Sequence, residues 1–127
     1  MHRSRLGGLV IDCQGADLDE AGRFWGGLFG YEAFRDPEDP DSEKYRTLLT
    51  PPGEVLMLLQ DVAHSSRVHL DIETDDLEAE AVRLEALGAK RIARIRDWQV
   101  MEAPTGHRFC LVPPQREGFE EQATVWP

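Results

Sequence analysis

The order of apolar and polar positions predicts a strand, a helix and three further strands along the first half of the chain. Residues 6–13 alternate as a buried strand does. A helix is expected over 17–29, where Asp17 can cap the first turn and Gly30 can end the last one. Its core-facing positions recur at helical spacing: Leu18, Ala21, Trp25, Leu28 and Phe29. The further strands are predicted at 31–35, 45–50 and 54–60.

The same order of patterns returns in the second half of the chain. Residues 67–73 alternate cleanly. On the face opposite to the apolar side chains lie three polar residues: His69, Asp71 and Glu73. A helix is predicted over 76–87, with Asp75 and Glu78 as a capping box and Gly88 beyond its end. Three strands are then predicted at 89–95, 98–102 and 108–112.

This repetition predicts the fold class. Aligning the two helices places Leu18 on Leu77, 59 residues apart, so the repeat is about half as long as the chain. We therefore predict one α+β domain of 127 residues, built from two tandem βαβββ modules at about 6–60 and 67–113.

Three stretches carry a resemblance to a known superfamily. They are His69–Leu77 (HLDIETDDL), the stretch Trp98–Val112 (WQVMEAPTGHRFCLV), and the helix end Phe24–Tyr31, which includes Phe-Trp and Leu-Phe-Gly-Tyr. They resemble the vicinal oxygen chelate superfamily, which includes glyoxalases, bleomycin-resistance proteins and extradiol dioxygenases, and within it the glyoxalase-like subgroup. The resemblance implies a half-barrel fold whose concave cavity binds a small molecule, but the fold hosts several unrelated chemistries.

The resemblance also implies where a divalent metal would bind. The family's first-strand ligand falls on Gly8, which has no side chain, and its fourth-strand ligand falls within 57–60, where only Gln60 could coordinate. The fifth-strand histidine falls on His69, and the eighth-strand glutamate falls on Cys110. A catalytic site normally needs about three protein ligands. We therefore expect no family-type metal and no other cofactor.

Six residues are candidates for contact with a ligand because they lie on strands of the expected cavity: Asp12, His69, Asp71, Trp98, Arg108 and Cys110. Each has a structural alternative. His69 could be a buried structural histidine, Asp12 could turn the chain, and Arg108 could pair with a neighbouring carboxylate. Trp98 could pack in the core, and Cys110 could act as a small apolar residue.

Composition narrows the function classes. The net charge is −10, from 24 acidic and 14 basic residues, which argues against binding to nucleic acid or to an anionic membrane. No apolar run reaches the ~18 residues of a membrane span, and no secretory pattern follows the start. The two cysteines are predicted on opposite strand faces, which is typical of reduced thiols in the cytoplasm. The resemblance implies a homodimer, the commonest soluble assembly.

These observations favour a glyoxalase-like protein that binds a small molecule, of the drug-sequestering or small-metabolite type, without the family's metal. One alternative is a metal-dependent lyase, isomerase or dioxygenase that uses His69 with non-standard ligands. Another is an interaction domain whose cavity is filled by its own side chains. The acidic segment 36–44 is predicted to be a loop that could cover the site, and Trp126 is either docked or part of a frayed end.

Overall fold

The computed structural model describes all 127 residues and divides into two compact units. The N-terminal unit is Gly8–Val68, and the C-terminal unit combines Met1–Gly7 with His69–Pro127. Strand β1 (His2–Gln14) begins in the C-terminal unit and ends in the N-terminal one. None of the helices is long and apolar enough to cross a membrane.

The N-terminal unit holds one α-helix against four strands, and a short 3-10 helix at Ser42–Lys44 ends the predicted loop 36–44. Helix α1 is Leu18–Phe29, and the strands after it are β2 (Ala33–Phe34), β3 (Tyr45–Leu48) and β4 (Leu56–Val62). The strand order is β2-β3-β4-β1, with β1 parallel to β4 and the other neighbours antiparallel. The buried core lies between the strands and α1: Ile11, Leu18, Leu48, Met57 and Leu59.

The C-terminal unit repeats this arrangement. Its elements are β5 (Arg67–Thr74), α2 (Leu77–Ala86), β6 (Lys90–Ile95), β7 (Trp98–Glu102), β8 (Arg108–Val112), α3 (Phe119–Gln122) and β9 (Thr124–Trp126). The strand order is β5-β8-β7-β6, with β5 parallel to β8. Both units thus share one order of elements and one pairing scheme, so the predicted α+β class with two βαβββ modules is confirmed.

The helix ends follow the predicted chemistry with one change. Asp17 accepts hydrogen bonds from the backbone N–H groups of Asp19 and Glu20, and Gly30 ends α1 with a φ of 77°. In α2 the capping residue is Asp76, which accepts from the N–H of Ala79, and not the predicted Asp75. The Asp75 carboxylate is occupied elsewhere by a backbone N–H of β1.

The largest difference from the predicted boundaries lies at the chain ends. Strand β1 starts at His2 instead of residue 6 because its first residues pair antiparallel with β9, for example His2 with Trp126. The docked alternative for Trp126 is therefore correct. Its indole Nε1 donates to Ser4 Oγ at 2.8 Å, and the Arg83 guanidinium lies 3.7 Å from its ring centre.

Two adjacent glycines in α1 are expected to respond oppositely to alanine. At Gly26 a Cβ would lie 2.5 Å from the carbonyl oxygen of Tyr31, whereas at Gly27 it would meet nothing within 4 Å. Gly27→Ala should stabilise the fold by about 0.5–1 kcal/mol, because alanine is the better helix former. Gly26→Ala should destabilise it, because the Tyr31 backbone would have to move. Urea unfolding of both variants tests this, and equal effects of the two would contradict the close approach at Gly26.

Candidate functional site

The C-terminal unit has a sheet face that points away from α2. Residues of β5, β7 and β8 that pack with α2 alternate with residues on this opposite face. The strand register places Asp71 beside Cys110, and Cys110 beside Val100. His69 and Arg108 come two positions before Asp71 and Cys110, and therefore share their face. We call this surface the donor face: His69, Asp71, Trp98, Val100, Glu102, Arg108 and Cys110.

Three donor groups converge on this face. The donor atoms of His69, Asp71 and Cys110 all lie within 4.8 Å of one another. His69 Nε2 is 3.5 Å from Asp71 Oδ1, and the two side chains are only 13% and 12% exposed. A partly buried imidazole next to a carboxylate can hold a proton between them or present it to a bound molecule. The predicted proximity of His69 and Asp71 on one strand is thus seen, and β8 adds the thiol.

Arg108 lies on the donor face but is engaged by a neighbour. Its Nε is 3.3 Å from a carboxylate oxygen of Glu102, which is opposite it in the β7–β8 register. This is the structural alternative considered for Arg108. Glu102 was not among the candidates, although the hairpin between β7 and β8 would have placed it there, because residues equally distant from a turn face each other. Both side chains are about one-third exposed, so the pair is accessible to a polar ligand.

Glu73 does not belong to the accessible donors, although strand alternation grouped it with His69 and Asp71. Its carboxylate is fully buried and accepts hydrogen bonds from Arg5 Nε and from the backbone N–H groups of Gln115 and Arg116. Of the two carboxylates on this strand face, only that of Asp71 therefore remains near the donor face. The partners come from both ends of the chain, which alternation within one strand could not indicate.

Trp98 occupies the end of β7 on the donor face. It is two positions from Val100, which pairs with Cys110, and its own register partner on β6 is Ile95. It is partly buried, so it can offer an apolar wall to a molecule bound on the face.

Asp12 lies in the N-terminal unit. It is 2% exposed and stands opposite Gln60 in the β1–β4 register. Two basic side chains lie near its carboxylate: Arg67, with Nε at 3.7 Å, and His64, with Nε2 at 3.9 Å. His64 lies in the loop between β4 and β5, and Asp12 lies on β1. The two residues are distant in sequence, so no short motif encodes this contact.

The family's first-strand and fourth-strand positions offer little to a metal in this structure. Gly8, on which the resemblance places the first-strand ligand, pairs with Leu56 and has no side chain. Gln60, the amide considered for the fourth strand, pairs with Asp12 in the β1–β4 register. Its Nε2 donates to Tyr45 Oη at 2.9 Å.

The three donors of this face fit some metal ions better than others. His69, Asp71 and Cys110 supply one nitrogen, one oxygen and one sulfur, which suits a borderline ion such as Zn²⁺ better than a hard ion. These three residues would hold such an ion, and it would supply Lewis-acid chemistry to a chelating substrate. Asp71 is the donor of this set that lies at none of the family's ligand positions.

The two cysteines lie in different environments. Cys13 packs against the core beside α1. Burial, followed by the nearby carboxylates of Asp12 and Asp61, raises the pKa of its thiol and keeps it in the neutral form. Cys110 instead lies on the donor face.

The two βαβββ units, each with its first strand parallel to its fourth, define a protein of the vicinal oxygen chelate class. Residues 8–112 match the glyoxalase-like domain family, and the chain belongs to it. The resemblance noted in the sequence is confirmed. No functionally curated protein was found to match.

Solved structures of the same fold include enzymes. The chain is similar to methylmalonyl-CoA epimerase from Mycobacterium tuberculosis, with a TM-score of 0.62 and 20% identity over 88% of this chain and 89% of that one. It is similar to the Streptomyces coelicolor epimerase bound to 2-nitronate-propionyl-CoA, with a TM-score of 0.57 and 19% identity over 88% and 98%. It also resembles homoprotocatechuate 2,3-dioxygenase from B. fuscum, with a TM-score of 0.57 and 14% identity over 90% and 33%.

Proposed function

We propose that this glyoxalase-like protein binds a small polar molecule on the donor face, without the divalent metal of the superfamily. The observation that carries the proposal is the convergence of His69, Asp71 and Cys110 within 4.8 Å. A small set of converging polar groups beside apolar side chains is the usual composition of a ligand site. Val100 and Trp98 supply the apolar part.

The chemistry of the face favours a ligand with both donors and acceptors. The carboxylate of Asp71 accepts hydrogen bonds, while the imidazole of His69 can donate or accept. The Arg108–Glu102 pair adds a fixed cation and a fixed anion beside them. Similar folds act on small molecules: the epimerases are named for methylmalonyl-CoA, and one was solved with a propionyl-CoA derivative. Because these structures share only 19–20% identity with this chain, they support the fold alone. The proposed ligand chemistry therefore rests on the residues of the donor face.

A metal-dependent lyase, isomerase or dioxygenase is the second candidate. The donor set favours it, because three side chains are the usual protein contribution to a catalytic zinc site. Against it, Asp71 lies within ion-pair distance of His69, so the carboxylate already has a partner when the imidazole is protonated. Only His69 corresponds to a family ligand by both position and type.

Metal analysis separates the two candidates. Purified protein examined by elemental mass spectrometry should carry much less than one Zn, Fe, Mn or Ni per chain. His69→Ala should leave that content unchanged. Stoichiometric metal in the wild type that is lost in His69→Ala would overturn the metal-free proposal and establish the second candidate.

Ligand binding is tested by a thermal-shift screen of small polar molecules. Compounds that raise the Tm of the wild type should no longer do so in His69→Ala, because the imidazole is removed from the donor face. His107→Ala is the matched control, since His107 lies in the exposed turn before β8. Compounds that stabilise both variants equally would place the binding elsewhere on the protein.

A further inference from the structure

The N-terminal unit contains a cleft that shares no residue with the proposed ligand site and whose charged lining residues are mainly basic. It has a volume of about 750 Å³, within the range of small-molecule sites. It is formed between α1 and the segment from Tyr31 to Arg35, with β3 at one side. Its lining is made mainly of glycines of α1, the aromatic residues Tyr31 and Phe34, and three arginines.

Glycines of α1 give the cleft its depth. Gly22 and Gly26 are buried, and a Cβ at Gly26 would collide with the backbone of Tyr31. The strand segment therefore runs close to the helix backbone. A Cβ at Gly27 would enter open space. The helix thus presents bare backbone to the cleft, and a bound molecule could approach it closely.

Three guanidinium groups line this cleft in a chain whose net charge is −10. They come from three elements: Arg23 from α1, Arg35 from the residue after β2, and Arg46 from β3. The single acidic residue of the lining is Asp19. The protein as a whole carries more acidic than basic residues, whereas the lining of this cleft carries more basic than acidic ones.

The arginines differ in how they are held. Arg46 is fixed, because its Nε and Nη2 contact Asp19 Oδ1 at 3.2 and 3.1 Å and its Nη1 donates to the backbone carbonyls of Ser42 and Tyr45. Arg35 donates to Ser42 Oγ at 3.0 Å, and its Nη2 lies 3.8 Å from a carboxylate oxygen of the exposed Glu43. Arg23 makes no side-chain hydrogen bond or ion pair. Two of the guanidinium groups are thus held by the protein, and the third is free to turn towards a ligand.

We propose that this cleft binds a small organic phosphate with a flat apolar body. Guanidinium groups match phosphate oxygens with paired, charge-assisted hydrogen bonds. Asp19 and Glu43 pair with two of the three arginines, so one positive charge remains in excess and favours an anionic ligand. The rings of Tyr31 and Phe34 and the glycine backbone of α1 provide the surface for the apolar body. This function is additional to the proposed ligand site, which uses other residues in the other unit.

The test is calorimetric titration of the full-length protein with phenyl phosphate. Saturable binding at one site per chain is expected, and Arg23→Gln should weaken it by about tenfold or more, because one charge-assisted contact is lost. Arg23 has no partner in the protein, so this variant should fold normally. Gly27→Leu, which would place a side chain in the open cleft, should abolish binding while circular dichroism stays unchanged.

Two controls define what would overturn the proposal. Arg94→Gln removes one positive charge from β6 of the other unit and should bind phenyl phosphate as the wild type does. His69→Ala should also bind normally, so failure here and failure at the donor face remain distinguishable. Absence of saturable binding, an equal loss in Arg94→Gln and Arg23→Gln, or binding of benzoate as tight as that of phenyl phosphate would each contradict a phosphate site in this cleft.

Discussion

Replacing Glu73 by alanine should lower the free energy of unfolding by about 3–5 kcal/mol, because it removes one partner of a buried ion pair. Glu73 is 0% exposed, and Arg5 beside it is 6% exposed, with 2.7 Å between Arg5 Nε and Glu73 Oε1. The other carboxylate oxygen accepts from the N–H groups of Gln115 and Arg116 at 2.6 and 3.0 Å. Alanine would remove the counter-charge of Arg5 and leave its Nε–H and two backbone N–H groups without their acceptor in a buried place.

Urea unfolding followed by circular dichroism measures this loss. Glu120→Ala is the matched control, because Glu120 is an exposed glutamate of α3. It should change the free energy of unfolding by less than about 0.5 kcal/mol. A loss below about 1 kcal/mol in Glu73→Ala would show that the network around Glu73 relaxes or takes up water, against the expectation for a buried charge.

The second large effect is expected at Glu80, the other fully buried glutamate of the C-terminal unit. His2 Nε2 lies 2.8 Å from Glu80 Oε1, and Arg83 donates to both carboxylate oxygens at 2.7 and 2.8 Å. Arg83 in turn stacks on Trp126 of β9. Glu80→Ala should therefore cost about 3–5 kcal/mol and loosen the pairing between β9 and the start of β1.

This effect of Glu80 should depend on pH. Burial by itself raises the pKa of a carboxyl group, but hydrogen bonds from Arg83, His2 and Ser4 outweigh it and lower the pKa of Glu80 below its usual value of 4.5. A carboxyl whose pKa is lowered by folding stabilises the protein above its unfolded pKa. That stabilisation is lost as the pH falls through the folded pKa.

Comparing wild type with Glu80→Gln tests the sign. The difference in unfolding free energy should be largest above about pH 5 and should shrink on acidification below the usual glutamate pKa. Glu120→Gln should show no such pH-dependent difference, because Glu120 makes no hydrogen bond or ion pair in the fold. A difference for Glu80→Gln that is constant between neutral and acidic pH would mean that the carboxylate is not held in its charged form by these contacts.

Local patterns were sufficient for the strand and helix order of the second βαβββ module. The predicted strands 98–102 and 108–112 coincide with β7 and β8, because alternation along a strand follows directly from its twofold side-chain period. The same period placed His69 and Asp71 on one face, away from α2, as the structure has them. The first module was less accurate: the strand predicted at 31–35 is reduced to Ala33–Phe34. Strand length depends on the neighbour with which it pairs.

Contacts between distant parts of the chain were outside the reach of these patterns. Glu73 and Asp71 share one strand face and one residue class, yet one carboxylate is fully engaged by Arg5 and the other lies beside His69. The difference comes from partners near both termini, about 40 to 70 positions away along the chain. The short β9 likewise owes its existence to pairing with β1.

The sequence by itself determined the order of strands and helices within the two modules, the repeat, and the faces on which His69, Asp71 and Cys110 lie, because these depend on the intrinsic periods of helix and strand. Tertiary structure alone decided which of those polar groups remain available to a ligand. Strand pairing brought Cys110 next to Asp71, and ion pairing took Glu73 into the interior and joined Arg108 to Glu102. Availability is settled by the partners that folding brings within hydrogen-bonding distance, and those partners are remote in the sequence.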